Sequence, residues 1–181
     1  MPVLVTERLI LRPPEAADLE GWAEVMGDPE TSRHIGGPLS RGGAWRSLAV
    51  MAGSWALYGF GNFSVLDKAT GQWLGRVGPW HPDPWPGPEI GWVLRRSAWG
   101  HGFATEAAVA ATDWVVATLG WTHMVHVIHP ENDASMKVAR RLGSTELAEA
   151  DVTMFEAPKP RVFGQSLGDW TARRKDSAPK S

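Results

Sequence analysis

Residues 89–107 read "EIGWVLRRSAWGHGFATEA". A strand ending near Arg95 leads through a turn holding Gly100 and Gly102 into a helix from about Ala104. The first-turn N–H groups of a helix have no intrahelical partner, and the helix dipole adds positive potential there. Gly100, Gly102 and Ala104 leave that backbone uncovered, while Arg95, Arg96 and His101 set charge at its rim. This arrangement suits a phosphate-bearing ligand. A tight strand-to-helix turn with no ligand has the same residues. Two common phosphate motifs are excluded. The stretch lacks the Gly-Lys-Ser/Thr of a P-loop, and the third small residue of a dinucleotide fingerprint would fall on Thr105.

Outward from this unit, the N-terminal side reads as a strand over 3–12, a helix over 15–27 and a second helix from Ser40 to about Tyr58. The first helix carries Leu19, Trp22, Val25 and Met26 on one face, and the second carries Trp45, Leu48, Met51 and Trp55. Residues 28–43 read as a loop. "NFSVLDKATGQWLGRVG" reads as two strands around a glycine-containing turn. The proline-rich segment 82–88 cannot be sheet interior. On the C-terminal side come a helix over 104–119, the strand "HMVHVIHP", a helix from Asn132 to Leu142 stopped by Gly143, and one or two weak strands within 145–168. The expected order is β, α, α, β, β, β, α, β, α, β. That is an α/β (α+β) domain over 1–170, with a mixed, mostly antiparallel sheet of six to seven strands and about four helices. Residues 171–181 read as a disordered tail.

The bulk numbers exclude several classes. A net charge of −2 over 181 residues gives no basic field for nucleic acid. The absence of cysteine removes disulfides, thiolate metal sites and a cysteine nucleophile. The charged N-terminus lacks signal-peptide form, and the uncharged run Ser47–Leu66 is broken by three glycines, so a cytoplasmic, non-membrane protein is expected. His123, His126 and His129 are three apart and alternate across a strand, so no metal site is expected. There is no Gly-x-Ser-x-Gly elbow for serine hydrolysis. The eleven tryptophans suit core, pocket walls or a homodimer face.

Four segments together resemble the GCN5-related N-acetyltransferases (GNAT), of the RimJ/RimL ribosomal-protein type. They are "TERLILRP" (6–13), "DKATGQWLGRVG" (67–78), "EIGWVLRRSAWGHGFATEA" (89–107) and "HPENDASMKVARRLG" (129–143). The resemblance implies the GNAT fold and acetyl-CoA as cosubstrate. The family loop Arg/Gln-x-x-Gly-x-Gly/Ala falls on Trp99, Gly100, His101, Gly102, Phe103 and Ala104, with Trp99 departing at its first position as is usual for this branch. Backbone N–H groups of about His101 to Thr105 would then hold the pyrophosphate. The backbone of Val93, Leu94 and Arg95 would pair with the pantetheine arm, and an N–H there would face the acetyl carbonyl.

Asn132 matches the asparagine that holds the arm, and Ser135 the serine proposed to protonate the leaving thiolate. The tyrosine used by much of the wider family is replaced by Ala139. Lys137, Arg140 and Arg141 stand where the 3′-phosphate of CoA could be met. Glu89 is the candidate general base toward the amine, directly or through water. The expected mechanism is direct attack in a ternary complex. On the acceptor side, His34, Trp80, His81 and Trp85 are the expected lining, for a protein N-terminus or a small-molecule amine. Two other classes carry the same residues: a non-catalytic acyl-CoA-binding module, and a nucleotide- or phosphate-binding protein sharing the glycine turn.

Overall fold

The computed structural model describes residues 1–176. Strand β1 (Leu4–Val5) and strand β2 (Leu9–Arg12) form a hairpin where one strand was expected. Thr6 makes the break: its N–H donates to Leu9 O and its hydroxyl oxygen accepts the Leu9 N–H, each at 2.9 Å. The helix expected from residue 15 opens as a 3-10 turn (Ala16–Asp18) before helix α1 (Leu19–Gly27). The reason is Asp18. Its buried carboxylate accepts from Arg12, Ser64 and the Glu15 N–H, tying this turn to the sheet. Burial alone would raise the Asp18 pKa, but these bonds hold it below the usual carboxylate range.

Helix α2 (Pro29–Ser32) lies inside the segment expected to be loop. The signal was present: Asp28 caps Glu30 N and Thr31 N, and Pro29 occupies the first turn. Helix α3 (Arg41–Tyr58) starts at the Ser40 cap and stops at Gly59, which adopts φ 75°. Its buried stripe is Ala44, Leu48, Met51 and Trp55, and Trp45 is 58% exposed, one step off that stripe.

Strands β3 (Phe63–Asp67) and β4 (Trp73–Trp80) form the expected hairpin, with Asp67 Oδ1 accepting from Ala69 N and Thr70 N in the turn. Strand β5 (Glu89–Leu94), helix α4 (Phe103–Thr118), strand β6 (His123–Ile128) and helix α5 (Asp133–Arg141) follow. Strand β7 (Thr145–Glu146), strand β8 (Arg161–Ser166) and helix α6 (Leu167–Asp176) complete the described chain. Strands and helices thus exceed the expected numbers, through the split first strand, the two-residue β7, α2 and α6.

Helix α6 corrects the tail reading for residues up to Asp176. Trp170 is buried, its indole donates to Asp113 at 2.8 Å, and Arg174 pairs with the same carboxylate. Residues 177–181 of the expected tail lie outside the described residues.

The sheet order is β1-β2-β3-β4-β5-β6-β8-β7. Neighbours are antiparallel except β5 and β6, which are parallel and in register only at Glu89↔Val125. Beyond that pair the two strands part, leaving the rest of one β5 edge free of ladder bonds to β6. Val93 and Leu94 alternate into different cores, one with Trp22 and Leu48, the other with Leu74 and Ala107 of α4. No helix of the described residues is long and apolar enough to cross a membrane.

Candidate active site

The parting of β5 from β6 opens two cavities that share a wall. One, of about 340 Å³, lies between the N-terminus of α4, α5 and residues Thr31–Ile35. The other, of about 420 Å³, lies over β4 and β5, with Trp85 and Phe155 in its lining and their rings 5.1 Å apart. His34, Ile35, Trp92, Val93, Asn132 and Ser135 border both.

In the first cavity, Gly100 and Gly102 adopt φ 78° and 80°, a left-handed conformation that favours glycine. Gly102 is the N-cap residue of α4 and no side chain caps the helix. The lining includes Trp99, Gly100, Gly102, Phe103, Ala104 and Thr105. His101 is not part of it. Its carbonyl accepts from Arg8 Nη1 at 2.9 Å, and its ring lies 6.0 Å from that of Phe103. Arg8 also stacks over Phe103 at 4.5 Å and pairs with Glu106, which accepts from Thr6 as well. These contacts tie the Glu106 carboxylate through Arg8 to the back of the glycine loop. Of the three cations on α5, Lys137 and Arg141 face the cavity, whereas Arg140 lies 5.3 Å over Phe163. Spacing of four residues puts the first two on one face.

The backbone of β5 does not offer all three expected residues. The Arg95 N–H donates to Leu74 O at 2.8 Å, and its side chain pairs with Glu24. In an antiparallel ladder such groups alternate, so Val93 also turns its N–H and C=O to β4. Leu94 faces the open edge, where its carbonyl already accepts the Trp99 indole at 2.7 Å. The Leu94 N–H is left on that edge, and Trp92 joins it there by the same alternation.

Helix α5 begins at Asn132, whose Oδ1 caps Ser135 N at 3.1 Å. The Ser135 hydroxyl oxygen accepts the Trp92 indole N–H at 3.1 Å. Its proton is therefore free to point toward the shared wall.

In the second cavity, Glu89 is 8% exposed and accepts from the Trp85 indole at 2.8 Å and from Val127 N at 3.1 Å. Burial raises its pKa to about 7 against those two bonds and the Arg76 charge. Trp80 and His34 also line this cavity. His81 does not: it is exposed past the end of β4, its ring 6.3 Å from Trp121.

Sequence reasoning missed Arg76, Asn62 and Phe155, all of which border this cavity. For Arg76 the signal was a lone charge inside the strand "WLGRVG".

His126 is buried with Nδ1 at 2.7 Å from Ile90 O and Nε2 at 3.0 Å from Ser144 Oγ. Burial lowers its pKa to about 4, so it is a neutral, satisfied core residue. Ligand atoms of His34, His129 and Glu131 lie within 4.8 Å of one another. One nitrogen of each ring is already engaged: His34 accepts from Arg33 at 3.0 Å and His129 from the Glu131 N–H at 3.2 Å. The Arg33 charge also opposes a cation there.

A family model described as an acetyltransferase (GNAT) domain matches residues 8–145. A Bacillus licheniformis protein described as an uncharacterized N-acetyltransferase, p20, is 32% identical over 166 residues, covering 90% of this chain and 92% of the relative. The crystal structure of an acetyltransferase from Agrobacterium tumefaciens str. C58 is 33% identical, with a TM-score of 0.82 over 91% of this chain and 94% of that one. The crystal structure of a ribosomal-protein-S5-alanine acetyltransferase from Vibrio fischeri shares the fold at 18% identity, with a TM-score of 0.71 over 94% and 99% of the two chains.

Proposed function

The chain belongs to the acetyltransferase (GNAT) domain family, and from that premise we propose that it transfers an acetyl group from acetyl-CoA to a primary amine, as an enzyme of the RimJ/RimL type. The single observation that carries this reading is the shared wall between the two cavities. One side offers an uncapped helix start with two left-handed glycines and the cations Lys137 and Arg141. The other offers a buried carboxyl with its pKa near 7.

Acetyl-CoA supplies an activated acyl thioester. The backbone N–H groups at the start of α4 hold its pyrophosphate, and those of Trp92 and Leu94 bind the pantetheine arm along the open edge of β5. Asn132 adds its amide N–H₂, which the Ser135 cap leaves unused. The amine enters from the second cavity as an ammonium and has no lone pair until it loses a proton. Glu89, directly or through water, accepts that proton. The nitrogen then forms its bond to the acyl carbon as the carbon–sulfur bond breaks. Ser135 gives its proton to the departing sulfur, and the second proton of the attacking nitrogen, shed as the amide forms, passes through water back to the serine oxygen. With no cysteine in the chain, no acetyl-cysteine step is available and the attack is direct.

The acceptor is a protein N-terminus or a small-molecule amine held between His34, Trp80 and Trp85. Exposed Trp45, Val50, Leu57 and Tyr58 on α3 favour a homodimer. A strict monomer by light scattering at high concentration removes that part of the reading.

Calorimetric titration of acetyl-CoA into the wild type and Gly102→Val, followed by free-thiol release on an amine panel, tests the function. Micromolar binding that collapses in the variant, with thiol release from some amine, supports it. Equal binding by both proteins would mean that the glycines only turn the chain. Binding without release from any amine would favour a non-catalytic acyl-CoA-binding module. Preference for ATP or a dinucleotide would favour the phosphate-binding alternative.

A further inference from the structure

The floor of the second cavity holds a cation that the acetyl-transfer reading does not use. Arg76 sits on β4 directly across from Val93, the β5 residue that borders both cavities. Its side chain borders the cavity, while its Nε is sealed from solvent and has no hydrogen-bond partner. The one hydrogen bond of its guanidinium among the described residues runs from Nη1 to Asn62 Oδ1. Asn62 is fully buried, and its own amide N–H₂ is spent on Gly78 O and Pro79 O, so this acceptor is held rigidly in place. Among the described residues Arg76 makes no ion pair, and Glu89 acts on it through space.

Two facts set the charge of this floor. Burial pulls the Arg76 pKa down to about 10, which still leaves it cationic at neutral pH. The neighbouring Glu89 is only partly ionised there. The remaining titratable groups on the cavity are His126, which is neutral, His34 and His129 near the shared wall, and Glu156, which is exposed at the mouth. A half-buried cation with a single amide partner is costly, and Nη2, which is not sealed and has no bond among the described residues, turns the open side of the guanidinium plane toward a carboxylate.

The strand pattern then sets the relation to the reacting amine. Glu89, Gly91 and Val93 alternate onto one face of β5, the face that Arg76 shares across the ladder. Gly91 has no side chain between Glu89 and Val93, and a Cβ there would lie 3.5 Å from Glu89 Oε1. A small molecule lying along this face would set its amine toward Glu89 and an anion toward Arg76. Trp80, Trp85 and Phe155 close over its apolar part.

We infer that Arg76 anchors a carboxylate on the acceptor, so that the substrate class is a small amino-acid-like molecule carrying both an amine and a carboxylate. This inference rests on the acetyl-transfer reading for its chemistry, but its recognition step is separable. The test pairs each of the standard amino acids with its C-terminal amide. Binding is read from the fluorescence of the cavity tryptophans in the presence of desulfo-CoA, and turnover from thiol release with acetyl-CoA. The proteins are wild type, Arg76→Lys and Arg76→Met, each with a thermal melt to show folding.

At least one acid should bind about tenfold or more tightly than its amide. That preference should shrink in Arg76→Lys, which keeps the charge and loses the fork, and vanish in Arg76→Met. The KM for the amino acid should rise more than kcat falls. Binding of acids over amides without any thiol release would support the anion site and sink the catalytic reading. Thiol release with amides as good as acids would do the reverse. A panel in which no member binds, or an acid preference that survives in folded Arg76→Met, would overturn the inference. If only Arg76→Lys folds, an acid preference undiminished in it would overturn the inference as well.

Discussion

The indole N–H of Trp92 donates to the hydroxyl oxygen of Ser135 at 3.1 Å, joining the open edge of β5 to the first turn of α5. Trp92 lies beside the buried ring of His126, at 5.0 Å between centroids, so the donor has little freedom to leave. The serine proton is thereby directed away from Trp92. Ser135→Ala is expected to lower kcat by about tenfold to a hundredfold, within the range of a lost general acid, with little change in acetyl-CoA affinity. Trp92→Phe keeps most of the ring and loses the donor, and should show a smaller kcat defect. Steady-state thiol release decides it, and an unchanged kcat in Ser135→Ala would remove the serine from the mechanism.

Glu89 should govern the acid limb of the rate profile. Its carboxyl must be ionised to take the amine proton, and burial puts its pKa at about 7. The expected kcat/KM rises with pH up to about 7 and then levels, until other groups intervene. In Glu89→Gln the rate should drop by about a hundredfold and the limb near 7 should disappear. A limb that persists in the variant would assign the proton transfer elsewhere.

The same residue has a stability signature. Between its unfolded value near 4.5 and its folded value of about 7, the native state holds a proton that the unfolded chain has lost. Stability contributed by Glu89 therefore falls as pH rises through that window. His126 has the opposite sign. Its folded value of about 4 lies below the ordinary 6.5, so the unfolded chain binds the extra proton and stability rises with pH across that window. The two slopes nearly cancel over the shared range. Melts of Glu89→Gln minus wild type isolate Glu89: the variant should gain up to about 3 kcal/mol relative to wild type between pH 5 and 7.5. A flat difference would mean that the carboxyl is not buried in solution.

Arg8 and Glu106 hold the glycine loop from behind, through the His101 carbonyl and the Phe103 ring. Arg8→Ala should weaken acetyl-CoA binding by roughly fivefold to tenfold while the fold persists, because the loop must then be ordered at the expense of binding. Calorimetry reads the affinity and a melt reads the fold. Unaltered affinity would make the pair purely structural.

Trp170 is 4% exposed in a helix at the C-terminal end of the described residues. Trp170→Ala should cost about 3 kcal/mol, as for other large buried rings, measured by urea unfolding. A loss within about 0.5 kcal/mol would return residues 171–176 to the status of a tail.

Local patterns carried most of the elements. The Ser40 cap, the Gly59 and Gly143 stops and the Asp67 turn act on near neighbours, so their residue types announce them. Elements held by distant partners did not show. The Thr6 break depends on its own turn, but α6 depends on Asp113 more than fifty residues away, and the Asp18 turn on Ser64. The glycine loop was legible because left-handed backbone selects glycine wherever it occurs. The failure of the Arg95 backbone to face the open edge of β5 was not, since it follows from which ladder bonds β4 takes.

By itself the sequence determined the family, the order of strands and helices around residues 89–107, and the helix start with its two glycines, because caps, turns and small residues act over a few positions of chain. Only the tertiary structure decided which edge of β5 stays open, that Arg76 and Glu89 share one cavity, that Ser135 answers to Trp92, and that His81 stands outside. Those depend on register and on the parting of β5 from β6, where one residue of shift exchanges the faces of a strand.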